Sequence, residues 1–101
     1  MRDAPPRPDR EFAEAMAVQA LGFVASDPEL LPRFLALSGI EASQIRDAAR
    51  EPGFLAGVLQ FVLAHEPTLL AFCEASGNRP ADVSASLKAL PFGDDRFEAS
   101  T

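Results

Sequence analysis

Gly53-Phe54-Leu55-Ala56-Gly57-Val58-Leu59-Gln60-Phe61-Val62-Leu63-Ala64 is the stretch that decides the fold, because Gln60 is its only polar side chain. A run this apolar reads as a helix buried on most of its circumference, the one on which the rest must pack. Glu51-Pro52 gives it a start signal, and the spacing predicts a helix to about His65. Along it Gly53, Gly57, Gln60 and Ala64 form a stripe of mostly small residues. A glycine inside a helix costs about 1 kcal/mol relative to alanine, so Gly57 asks for a reason. Three stay open: a partly exposed face with nothing docked on it, a crossing by another helix of the same chain, or the seam of a homodimer.

Outward from this stretch the chain is punctuated by Pro and Gly. Upstream, Asp9 can cap a helix over Arg10–Ala25, with Phe12, Met16, Ala20 and Phe23 on one face and Ala13, Ala17, Leu21 and Val24 flanking it. Asp27-Pro28-Glu29 starts a second helix whose apolar face is Leu30, Phe34 and Leu37, and Gly39 stops it. Pro32, four residues in, predicts either a loose first turn or a kink. A third, short helix runs from Ala42 or Ser43 to Arg50. Downstream, Glu66-Pro67 opens a fifth helix that stops at Gly77, and Pro80 opens a sixth that Pro91 ends. The expected fold is all-α, a bundle of five to six short helices around the central helix at about 53–64. The single helical domain spans 10–91, between a disordered Pro/Arg arm (1–9) and a mostly disordered acidic tail (92–101).

The second and fifth segments echo one another. Asp27-Pro28-x-Leu30-Leu31 matches Glu66-Pro67-x-Leu69-Leu70, and Phe34, Ser38, Gly39 and Ile45 match Phe72, Ser76, Gly77 and Val83 after one deletion. The common grammar of capped helices would produce the same echo, and two units are too few for a solenoid.

With 101 residues the chain is long enough for one core, and 24% charged residues is ordinary globular usage. The net charge of -6 repels phosphate backbones, so nucleic acid is not the expected partner. One cysteine cannot form an internal disulfide, and MRDAPPRPDR has no apolar signal region, which together fit a reducing cytoplasm. No apolar run approaches the roughly 20 residues that cross a bilayer, so no membrane role is expected. All eight aromatic residues are Phe, which suits core filling rather than polar recognition.

Candidate chemistry is thin. His65 and Cys73 are the only residues of their types, eight positions apart across a Pro-initiated turn, with no third group to orient them. The bland reading is a His at a helix C-terminus and a small core thiol. No His/Cys cluster suggests a metal, and His65-Glu66-Pro67 is not a zinc-protease motif. Glu11 with Glu14, and Asp94 with Asp95, fall on a helix face and a tail rather than a cleft. The step from Gly39 to Ile45, and from Gly77 to Val83, is the skeleton of a helix-turn-helix, with Gln44, Arg46 and Arg50 or Arg79 and Lys88 facing outward.

Several motifs occur together in order: Ala20-Leu21-Gly22-Phe23, Asp27-Pro28-Glu29-Leu30-Leu31, and Arg33-Phe34-Leu35-Ala36-Leu37-Ser38-Gly39. Phe54-Leu55 with Val58, Leu59 and Phe61 follows, then Glu66 to Leu70 with Phe72. In this order they resemble the domain-of-unknown-function 3572 family of short bacterial proteins, over roughly Ala13 to Leu90. The resemblance implies an all-helical cytoplasmic protein with no assigned activity, hence no functional residues to carry over. Pro32 departs from that pattern and bears on where the second helix starts.

The expectation is therefore no enzyme, no catalytic residue, no cofactor and no metal. The chain reads as a protein-interaction module with an unknown protein partner or a second copy of itself, and Gly53, Gly57, Gln60, Phe92 and Phe97 as the candidate surface. The alternative is a helix-turn-helix-like DNA-binding or transcription-associated protein.

Overall fold

Local capping sets the first element. The Asp9 carboxylate accepts the Phe12 amide at 2.8 Å, and helix α1 runs Arg10–Ala25. The structure, a computed structural model, describes residues 9–91 and residue 93. After α1 come α2 (Leu30–Ser38), a 3-10 turn (Ala42–Gln44) running into α3 (Ile45–Ala48), α4 (Phe54–Leu63), α5 (Glu66–Ser76) and α6 (Pro80–Ala89). The fold is all-α, with no strand among the described residues. Of the expected arm all but Asp9, and of the expected tail all but Gly93, lie outside them.

Three boundaries differ from the sequence expectation. Pro28 does not open α2. The Asp27 carboxylate accepts the Glu29 and Leu30 amides at 2.8 and 3.0 Å, making a loose turn, and the helix begins at Leu30. Pro32 then falls in the first turn, where a missing N–H breaks no helical bond. Likewise Glu51-Pro52 forms a turn, closed by Phe54 N–H to the Glu51 carbonyl at 3.1 Å. Gly53 follows at φ 93°, so α4 starts one residue later and Gly53 caps it from outside. The third helix is only four residues long, preceded by a capping box between Glu41 and Gln44.

The stops behave as expected. Gly39 (φ 75°) and Gly77 (φ 79°) are left-handed and bond back to Leu35 and Cys73. The serine before each bonds a carbonyl of its own last turn, Leu35 or Phe72, and accepts the amide two residues on, Ile40 or Asn78. The echo is thus real at the stops. It fails at the starts, since Pro67 lies inside α5 while Pro28 precedes α2.

α4 shares the centre with α1, which packs most extensively on α6 and then on α4. Ala13, Ala17 and Ala20 are fully buried, and so narrow a stripe lets neighbouring helices approach closely. The inward face of α1 is therefore turned from the expected one: Phe12 is 46% exposed. On α4, Phe54, Ala56, Val58, Leu59 and Val62 are buried, whereas Gly57, Gln60 and Phe61 are only half-buried. The helix is buried over most of its circumference, and the side carrying Gly57, Gln60 and Phe61 is partly open. No single helix among the described residues is long and apolar enough to cross a membrane, and α4 and α5 meet at a bend of 107°.

Candidate groove between α2 and α4

The open side of α4 is one wall of a hollow of about 660 Å³ that is open to solvent. α2 supplies Phe34, Leu37 and Ser38, the loop and α3 supply Ile40 and Ala48, and α4 supplies Phe54, Gly57, Gln60 and Phe61. The turn Glu51-Pro52-Gly53 closes one end. Phe34 is the hinge of an aromatic cluster: its ring centroid lies 5.9 Å from Phe54 and 5.4 Å from Phe61, both edge-on. The Arg33 guanidinium sits 5.9 Å from the centre of the Phe61 ring, so a positive charge stands at the rim. Leu37 is 75% exposed at the lip. Gln60 carries the one side-chain amide in this lining.

Of the five residues expected to form the surface, Gly53, Gly57 and Gln60 are brought together here. Phe92 and Phe97 lie outside the described residues. A Cβ added at Gly57 would meet no atom within 4 Å among the described residues, so none of the described helices crosses there. That removes one of the three readings of the stripe. Gly53 belongs to the turn rather than to the helix, and Ala64, its last member, is exposed beyond the groove. Phe34, Phe61 and Leu37 were read from sequence as helix faces only. The signal that could have found the groove is an α3 too short to cover both α2 and α4.

A smaller cleft of about 140 Å³ lies behind the same turn. Arg10, Glu14, Arg50, Leu90 and Pro91 line it, and it shares Glu51, Pro52 and Gly53 with the groove. Arg10 is paired with Glu14 at 3.2 Å. Among the described residues neither Arg33 nor Arg50 has a carboxylate partner. A third, shallow hollow between α1 and α5, lined by Gln19, Gly22, Phe23, Ser26, Phe72, Ala75 and Ser76, carries no titratable group.

The remaining candidates stay apart. His65 is the N-cap of α5 rather than a helix C-terminal residue, and its Nδ1 lies 2.7 Å from the hydroxyl of buried Thr68. Cys73 is buried on α5, and that burial pushes its thiol up, away from a nucleophilic thiolate. No group of three His, Cys, Asp or Glu poised for a metal occurs among the described residues. The first helix-turn-helix skeleton ends in the four-residue α3, which offers one helical turn rather than a recognition helix. In the second, Arg79 is paired with Asp82 at 3.5 Å.

A family model described as "Protein of unknown function (DUF3572)" matches residues 10–93. No curated protein and no solved structure matches the chain.

Proposed function

We propose that this chain, which belongs to the DUF3572 family, is a non-enzymatic protein-interaction module that takes an apolar segment of a partner protein into the groove between α2 and α4. Gly57 carries the reading. A glycine in the middle of an exposed helix wall is destabilising, and nothing within the described chain occupies the space it leaves. A partner backbone running over Gly57 would use that space, as helix-in-groove and extended-peptide complexes do. The segment that fits carries an aromatic or long aliphatic anchor, inserted beside Phe34 and Phe61, with the Gln60 amide positioned to bond its backbone. A reducing cytoplasm suits a protein whose one cysteine is buried and unpaired.

The test uses Gly57→Met, which fills the groove without touching the core and raises helix propensity. A purified partner segment should shift the amide resonances of Gly57 and Gln60, and G57M should weaken its binding by roughly tenfold or more, ~1.4 kcal/mol. Equal affinity for both proteins would remove the groove from consideration. Light scattering over a concentration series identifies a second copy as the occupant if the mass rises.

A further inference from the structure

We infer that the occupant of the groove is a short amphipathic helix of the partner, laid antiparallel to α4, with acidic residues in its first turn beside Arg33 and basic residues in its last turn beside Glu51. The inference rests on the groove being a docking site and names the secondary structure, direction and charge of what docks.

Backbone hydrogen bonding selects a helix. The long walls, α2 and α4, are themselves helices, and no strand occurs among the described residues, so no sheet edge is there to pair with. An extended segment laid in the groove would lose water from its backbone and find the Gln60 amide and, at one end, Glu51 to replace it. The Ser38 hydroxyl is already bonded to Leu35 and Ile40. A helix brings its own backbone bonds with it. The gap at Gly57 lets the backbone of such a helix come close. From Gly53 to Phe61 the wall is about 12 Å long at a helical rise, so the occupant presents about two turns, with apolar anchors at i, i+3 or i+4, and i+7.

Charge sets the direction. Glu51 lines the closed end of the groove, just before Gly53, and the Arg33 guanidinium stands 5.9 Å from the centre of the Phe61 ring, toward the far end of the α4 wall. Both residues are exposed, and among the described residues neither has an ion-pair partner. The wall therefore carries opposite signs at its two ends. A helix is stabilised by acids in its first turn and bases in its last. With the first turn at Arg33 and the last at Glu51, each of those charges meets its opposite across the interface, and the dipoles of the occupant and α4 oppose. The reverse direction sets acids against Glu51 and bases against Arg33. Bare helix ends, about half a charge each, would favour that reverse direction, and full side-chain charges outweigh them. A second copy is a poorer occupant. Among the described helices of two turns or more, only α6 has an acid in its first turn and a base in its last, Asp82 and Lys88, and its apolar face is already buried against α1 and α4.

A pair of short synthetic peptides tests this, each an alanine-rich helix stapled on its solvent face and carrying leucine, phenylalanine and leucine anchors at i, i+4 and i+7. One has glutamates in its first turn and lysines in its last; the other has these charges exchanged. By fluorescence anisotropy at low salt, the full-length protein should bind the first roughly fivefold more tightly than the second, and the difference should shrink at high salt. Arg33→Glu combined with Glu51→Lys should reverse the preference, with helicity by circular dichroism unchanged because both residues are exposed. Equal affinity for the two peptides, tighter binding of the second, or a preference that the double charge reversal leaves in place overturns the inference. So does undiminished binding of an unstapled version broken by a central proline. If both peptides bind equally and Gly57→Met weakens both, the groove reading stands without the direction. Binding of neither overturns the inference as well, and a mass that rises with concentration in light scattering then identifies a second copy as the occupant.

Discussion

Gly53 and Gly57 are four residues apart in one short segment, and the same substitution should move them in opposite directions. At Gly53 the backbone is left-handed at φ 93°, so Gly53→Ala should destabilise by about 1–2 kcal/mol. Gly57 is helical with open space where a Cβ would stand, so Gly57→Ala should stabilise by about 1 kcal/mol. Urea titration of the two single variants reads both signs. Neither sign was legible in the residue names, because a glycine that makes a turn and a glycine that leaves a gap are written alike. Cys73 gives a second test. Burial raises its thiol above the ordinary 9.0, so the unfolded chain loses that proton at lower pH than the folded one. The thiol's share of stability is then fully present below pH 9.0 and declines as pH rises through the folded value. Stability measured against pH in the alkaline range should fall less steeply in Cys73→Ala.

Among the elements, six helical segments could be read from Pro starts, Gly stops and apolar spacing, and α1 was legible to both ends because Asp9 caps it and no proline interrupts it. The errors fell where proline had two possible jobs. Pro67 opens a helix, whereas Pro28 and Pro52 shape the turn before one. The difference is made by a side chain, Asp27, whose carboxylate holds the two amides that follow Pro28. Asp27→Ala should therefore cost about 1 kcal/mol, and hydrogen exchange should show the added opening concentrated in the first turn of α2. The rotation of α1 was not legible either. Phe12 outweighs Ala13 on any hydropathy reading, yet alanine is what lets α1 lie close to α6 and α4.

At the level of the whole molecule, the core is one cluster to which α1, α2, α4, α5 and α6 all contribute. Leu59 is fully buried within it and Leu37 stands 75% exposed at the groove lip, so chemically identical truncations should separate the two roles. Leu59→Ala should cost about 2–5 kcal/mol, a large part of the 5–15 kcal/mol typical of such a domain. Leu37→Ala should stay within about 0.5 kcal/mol in stability while weakening partner binding. Thermal melts and the peptide titration together check this. The all-α class was legible because periodicity and capping agree in every segment. The groove was not, since it is an absence of cover between α2 and α4 and no residue announces a missing neighbour.

The pairing of α1 with α6 sets an order on biosynthesis. These are the first and last helices described, and each hides the other's inward side chains. A polypeptide still tethered to the ribosome with α6 inside the exit tunnel must keep Ala13, Met16 and Ala17 in contact with water or with a chaperone. Folding of this domain therefore completes only after α6 has emerged.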